Sequence, residues 1–343
     1  MRHWLAIAVT ALAVTGVAAT AQDKPWYKQP WNAANVKACD RACLVAIGDA
    51  YMKALETKDR GALPLAEVVV MTENTGHMPF GTGLLWRENV APTGFRITVA
   101  DPVLGQVAYQ TVLQVGGRPA MVAVRLRVER GMITEVEQLY DRNVAPQAME
   151  LLTTPRPAML ADVPPDKRHT REFLTYAAES YFDALTGEDG TIAPFAEDCV
   201  RHEQGYRTVA NDGPGRATPS PVLPNPSTEL GRFFIELSQM TCEEQVSLGV
   251  FNGIKRIWPH RVAVVDEQKG LVATFPFFVH DGTRRPVTNS AMPRPGSAAG
   301  MVINLATMEV FGIRDGKIQE VEAFPFVTIP YGTGNGWSTA PVD

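Results

Sequence analysis

Apolar residues recur at spacings of three and four through Val36, Cys39, Cys43, Ile47, Tyr51, Ala54 and Leu55, which predicts one amphipathic helix. The stripe returns at Phe173, Ala177, Tyr181, Ala184 and Leu185 and stops at a Gly/Asp-rich turn, Thr186–Gly190. After each helix a Pro-led tetrapeptide, Pro64–Glu67 or Pro194–Glu197, predicts a short helical or turn element, and a strand follows at Val68–Glu73 or Asp198–Glu203. The rest of each half is strand-rich. Strands are expected at Phe95–Val99, Val107–Val115, Ala120–Glu129 and Met132–Tyr140, and again at Arg261–Val265, Leu271–Val279, Val302–Ile313 and Lys317–Phe326. Glycines 105, 117, 131, 270, 282 and 316 punctuate them, and Arg314-Asp315-Gly316 carries the Asp-Gly signature of a tight hairpin. The pattern is an antiparallel meander preceded by helices, an α+β layout in which helices cover one face of a curved sheet and enclose a pocket.

The pattern repeats because the chain is duplicated. Tyr51–Glu73 aligns without a gap on Tyr181–Glu203, matching Tyr51, Ala54, Leu55, Asp59, Pro64, Ala66, Glu67, Val70 and Glu73 with identical residues. Further on, Arg96, Val99, Asp101, Gly105, Val107 and Ala108 meet Arg261, Val264, Asp266, Gly270, Val272 and Ala273; then Gly131, Glu135, Val136 and Glu137 meet Gly316, Glu320, Val321 and Glu322. The widening offset marks two insertions in the second copy. A unit of this length suits one compact domain rather than a solenoid repeat. Residues 36–150 therefore form the first domain, 151–167 a linker and 168–335 the second domain, with Ala210–Ser227 a Pro/Gly/Ser-rich loop in its first insertion.

Composition, 45% apolar and 20% charged, is ordinary for globular protein. A net charge of -5 without a clustered basic stripe excludes a phosphate-tracking surface, so nucleic acid is not an expected partner. Met1-Arg2-His3, the apolar run Trp4–Val17 and Ala19-Thr20-Ala21 read as a signal peptide over 1–21, predicting a periplasmic or secreted protein with no membrane attachment after cleavage. An oxidising compartment permits disulfides. Cys199 with Cys242 is the preferred bridge, tying the first insertion to its domain; Cys39 and Cys43 are close enough to bridge but awkward in side-chain direction, and two buried thiols fit there equally.

The helix ending in Tyr-x-x-Ala-Leu, the Pro-led element, the strand carrying Glu and the closing hairpin Met308–Glu322, echoed at Val122–Glu137, resemble the nuclear transport factor 2-like superfamily in its SnoaL-like branch. Cys199–Gly205, Arg261–Asp266 and Phe278–Gly282 are similar, more narrowly, to a tandem-duplicated group of secreted proteins. The resemblance implies two cone-shaped α+β domains, each with N-terminal helices packed on a curved antiparallel sheet. It also implies acid/base side chains in an apolar cone with no bound metal or organic cofactor, and sheet-to-sheet pairing that a duplication would turn into a pseudo-dimer within one chain. A homo-oligomer beyond that is open. Because the superfamily spans dehydratases, isomerases, cyclases and proteins without catalysis, the site must decide the function.

Candidates for the site come from the strands. Alternation places Cys199, Arg201 and Glu203 on one face and Val200, His202 and Gln204 on the other. Glu203 is the first choice as acid/base, since a carboxylate in an apolar cavity has its pKa raised; pairing with Arg201 or holding backbone amides are the structural alternatives. His202 and His280 are further catalytic candidates because imidazole moves protons both ways near neutrality. Arg201 is expected to anchor an anionic or carbonyl oxygen, with Tyr206, Glu73, His77 and Tyr140 as further substrate contacts. Repetition of Arg96 with Asp101 and Arg261 with Asp266 points to ion pairs or turn caps. No His or Cys spacing forms a metal signature. The leading reading is a secreted, cofactor-independent lyase or isomerase, dehydratase-like, acting on a small organic or carbohydrate-derived substrate in the second domain. The alternative is a small-molecule-binding protein without catalysis.

Overall fold

The computed structural model describes residues 39–209, 227, 232, 236–283 and 300–338. The expected signal peptide, most of the Ala210–Ser227 loop and most of the second insertion lie outside the described residues. Helix α1 (Arg41–Thr57) starts where the Asp40 side chain accepts from the Cys43 amide, and buries Leu44, Tyr51, Met52, Ala54 and Leu55. Of the stripe read from the sequence, Tyr51, Ala54 and Leu55 are buried, Cys43 and Ile47 are half-buried, and Cys39 lies ahead of the helix. Cys39 and Cys43 are joined by a disulfide. The cap resolves the expected difficulty, because Cys39 lies ahead of it in non-helical backbone and is free to turn its side chain toward the first turn.

Strand β1 (Leu65–Glu73) takes in most of the Pro-led tetrapeptide, which is not a separate helical element. The segment instead pairs irregularly, shifting register between Leu65 and Val70. The short β2 (Gly76–His77) and α2 (Leu84–Arg87) follow, then β3 (Val90–Asp101), β4 (Gln106–Val115), β5 (Arg118–Glu129) and β6 (Met132–Asp141). These form one six-stranded sheet in the order β2-β1-β6-β5-β4-β3. The four-strand meander is antiparallel as expected, and β1 adds to β6 in parallel, so the sheet is mixed.

The linker region is more regular than a loop, with α3 (Pro146–Leu151), α4 (Pro157–Leu160) and a 3-10 turn at Pro165–Lys167. The second half opens with α5 (Arg171–Gly187), capped by Thr170. Strands β7 (Phe195–Glu203) and β8 (Tyr206–Arg207) follow, then α6 (Cys242–Ser247), which begins at the cysteine bonded to Cys199. Next come β9 (Arg256–Ile257), β10 (Val262–Asp266), β11 (Leu271–Thr274), β12 (Phe277–Asp281), β13 (Val302–Ala306), β14 (Glu309–Arg314), β15 (Lys317–Ala323) and β16 (Val327–Pro330). The expected Leu271–Val279 and Val302–Ile313 are each two strands, and the expected Lys317–Phe326 ends at Ala323, with β16 beyond it. Pro276 and Pro325 sit at two of the breaks, where a residue without an N–H cannot continue a ladder. The sheet therefore folds over into a six-stranded part, β10-β11-β14-β15-β7-β8, and a four-stranded part, β16-β13-β12-β9.

Three cores result. One lies under α1 and one under α5, inside each cone. The third joins the halves: Phe95, Ile97, Val112, Met121 and Leu139 pack with Leu271, Phe275, Met308, Val310 and Phe324. Around it the repeated aspartates are exchanged. Asp101 accepts from Arg171 at 2.7 and 2.6 Å and from the Val265 amide, while Asp266 accepts from Arg41 at 2.9 Å and from the Ala100 amide. Each aspartate also caps its own turn, Asp101 at Val103 and Leu104 and Asp266 at Lys269. The ion pairs expected of these repeated residues thus cross between the halves. Arg96 and Arg261 take other partners, Asp49 and Glu137. Among the described residues no helix is long and apolar enough to cross a membrane.

Candidate active site

The concave face of the second sheet is read directly from its register. Glu203, Ala323 and Glu309 stand opposite one another on β7, β15 and β14, and two residues along lies the row Arg201, Val321 and Phe311. Opposite residues share a face. Phe311 and Val321 belong to the core under α5, so both rows look into the cone. The same lattice in the first half holds Glu73, Gln138 and Val124 in one row and Met71 in the other. Between copies, Met71 has become Arg201, Val124 has become Glu309, and Gln138 has become Ala323.

The two cones consequently treat polarity differently. In the first, Glu73 accepts from the Leu84 amide at 2.7 Å and the Leu85 amide at 3.4 Å, and Gln138 donates to the Tyr51 hydroxyl at 2.8 Å. Phe80 and Trp86 close on Tyr51, and the Trp86 Nε1 and Gln138 Oε1 are buried there without a hydrogen-bond partner, but the carboxylate is satisfied. Burial raises the Glu73 pKa, while the two amides and Arg87 oppose it.

In the second cone Arg201, 2% exposed, pairs with Glu203 at 2.9 Å, donates to Thr208 at 3.2 Å and to the Gln245 side chain, and lies under the Phe251 ring. Burial works against its charge, but Tyr181, Glu203 and Glu309 outweigh that and hold its pKa up. Glu203 keeps 30% of its side chain exposed, so the pair spans from interior to rim. Glu309 is buried, with its pKa pushed up to about 8 by desolvation and the Glu203 charge, against the pull of Arg201. That direction favours the protonated form. Its Oε2 and the Nη1 of Arg201 are both buried without a hydrogen-bond partner. Tyr181 is buried beside them, its phenol pKa raised chiefly by burial and the Glu309 charge. Only the methyl of Ala323 stands between the two carboxylates on this face, with their backbones two strands, roughly 10 Å, apart.

The other candidates fall elsewhere. His202 is opposite Glu322 on the other face of β7, which separates it from Glu203. Its pKa is lowered to about 3 by burial and by Arg156 and Arg207. There Arg156 binds Glu320 and Glu322, each at 2.8 Å. His280 is buried on β12, in the four-stranded part, with its pKa lowered mainly by burial. Tyr206 packs into the core between the halves. Tyr140 is half-buried, its backbone clasped by the Asn74 side chain, and His77 is exposed with its ring 6.2 Å from that of Trp337. Arg201 and Glu203 are thus the sequence candidates brought together; Tyr181, Gln245 and Glu309 complete the cluster and were missed. The signal for Glu309 was its inward register position opposite an apolar residue in the other copy.

Fold and site together define a covalently fused pair of cone-shaped α+β domains, of which the second carries a buried ionic cluster. The chain belongs to the family described as Domain of unknown function (DUF8021), whose model matches residues 37–140 and 167–325. No curated protein matches the sequence. Among solved structures, the chain is similar to an NTF2-like protein of unknown function from Cytophaga hutchinsonii, with 14% identity, 29% of this chain and 89% of that chain covered and a TM-score of 0.25. It is similar also to PrhC from Penicillium brasilianum, with 13% identity, 29% and 82% covered and a TM-score of 0.24. A computationally designed 17-OHP binder matches with 16% identity, 29% and 98% covered and a TM-score of 0.21.

Proposed function

We propose that the second cone is the working site of an exported, cofactor-independent lyase or isomerase acting on a small organic molecule with an acidic C–H beside a carbonyl or carboxylate. The observation that carries this is Glu309. A fully buried carboxyl with an unpaired oxygen, facing into the cone beside an arginine with an unpaired nitrogen, is costly to the fold, and the equivalent position of the first cone holds Val124. Arg201 would hold the substrate's carbonyl or carboxylate oxygen as negative charge develops on it. Glu203 would take the α-proton, and neutral Glu309 would return a proton across the Ala323 gap. Returned to carbon, it completes an isomerisation; delivered to a β-hydroxyl, it releases water and leaves an alkene. The joined cysteine pairs support the export reading, since an oxidising compartment preserves them.

The test is α-proton exchange in D2O, followed by proton NMR over a panel of β-hydroxy acids and ketones. Exchange or elimination is expected with the natural chain and a loss of 10²–10⁴-fold in Glu309→Gln, the range for one positioned acid/base. Saturable binding without exchange would instead establish the non-catalytic binding protein. An unaltered rate in Glu309→Gln and Glu203→Gln, both folded, ends the proposal.

A further inference from the structure

We infer that the chain has a second binding site, for a neutral saccharide, in the open cleft where the C-terminal segment of the second half crosses the β1–β2 turn of the first. The cleft has a volume of about 710 Å³, within the range that ligand sites occupy. Its described lining comes from Asn74–His77 on one side and from Ile329, Pro330 and the 333–338 segment on the other. This site is independent of the cone and shares no residue with it.

The walls are fixed before any ligand arrives. The Trp337 indole donates from Nε1 to the Thr72 hydroxyl at 2.8 Å, and the Arg125 guanidinium lies 4.6 Å from its ring. Arg125 is itself held by Glu135 and Glu137, each at 2.8 Å, so its charge is spent in the floor. Gly336 allows the close approach: φ is 80°, and a Cβ there would meet the Thr75 carbonyl oxygen at 2.5 Å. Asn304 anchors the other end of the segment by donating to the Thr333 carbonyl at 3.0 Å.

The chemistry of the lining selects the ligand. Among the described lining residues there is no Asp, Glu, Lys or Arg, which disfavours an ionic ligand. Apolar surface is supplied by Ile329, Pro330 and the indole, and the cleft is open to water, which disfavours a wholly apolar ligand. The Thr333 and Ser338 hydroxyls donate inward, to the Pro330 carbonyl and the Asn335 side chain, leaving lone pairs free to accept. Asn335, only 5% exposed, lies behind the lining and holds the segment by accepting from the Trp337 and Ser338 amides at 3.0 Å. An indole beside an exposed imidazole and uncharged donors and acceptors suits a ring with C–H faces and hydroxyl edges.

The experiment titrates the full chain, labelled with 5-fluorotryptophan, with the hexasaccharides of β-1,4-linked glucose, α-1,4-linked glucose and β-1,4-linked N-acetylglucosamine. The fluorine resonance of Trp337 is identified by its loss in Trp337→Phe. At least one sugar is expected to move that resonance saturably, with a calorimetric Kd that rises about tenfold or more in Trp337→Ala. His77→Ala, which removes an exposed side chain and spares the fold, is expected to weaken binding several-fold. No movement with any of the three sugars overturns the site, as does wild-type affinity in both variants. A sugar that binds only when Arg201 is intact and leaves Trp337 unmoved belongs to the cone and also overturns it.

Discussion

Glu203 and Glu309 show how identity between copies misleads. Glu203 draws attention because Glu73 repeats it, yet the repeat does not carry one role: Glu73 caps α2, and Glu203 pairs with Arg201 at the rim of the other cone. Difference between copies is the better guide, and it singles out Glu309. Its protonation makes a checkable statement. The folded-state pKa of about 8 lies above the ordinary 4.5, so between those values the folded chain holds a proton that the unfolded chain has released. Stability must fall as pH rises through that window and level off above it, by roughly 5 kcal/mol at most for the isolated group. Glu322, raised to about 7 by burial, acts in the same sense. His202, depressed to about 3, acts oppositely and only below its ordinary 6.5. Melting temperature measured from pH 5.5 to 8.5 should therefore decline in the natural chain and decline less in Glu309→Gln. Parallel curves for the two proteins would show that the carboxyl is ionised in the fold.

The elements carry most of what periodicity can reveal. The stripes of α1 and α5, the first meander and the Asp-Gly hairpin fall where their patterns predict. The divided strands of the second half do not, because apolar alternation continues across Pro276 and Pro325 although the ladder cannot. Insertion and cone are joined by the bridge from Cys199 on β7 to Cys242, three residues before Gln245, which holds Arg201. The bridge closes a 43-residue separation, against 4 for Cys39–Cys43, so chain entropy makes it the more stabilising. Replacing both Cys199 and Cys242 by Ala should cost about 2–4 kcal/mol in urea unfolding, and the Cys39/Cys43 double variant clearly less. Equal losses would mean that α6 is held by its packing alone.

At the scale of the whole molecule, duplication has made a two-fold contact inside one chain. Arg41 reaches Asp266 and Arg171 reaches Asp101, equivalent residues exchanged as in an isologous dimer. Both aspartates are almost completely buried, so removing either arginine leaves a charge without its partner. Arg41→Ala and Arg171→Ala should each cost about 3 kcal/mol, and the double variant should depart from the sum, since each aspartate also accepts an amide adjoining the other pair. Because the halves share the central core, calorimetry should show one cooperative transition. Two resolved transitions would show that each half is stable without the other.

The sequence alone determined the duplication, the helix-then-sheet order and the preferred cysteine pair, because these depend on local periodicity and on residues repeated along the chain. It also placed Arg201 and Glu203 on one face, since strand alternation is a local rule. Which face turned inward, which strand lay beside which, and how β1 joined β6 were decided only by the tertiary structure. So were the Arg41–Asp266 exchange, the Glu309 environment and the cleft under Trp337. Each unites residues far apart in sequence, and burial, desolvation and charge pairing exist only once packing has brought them together.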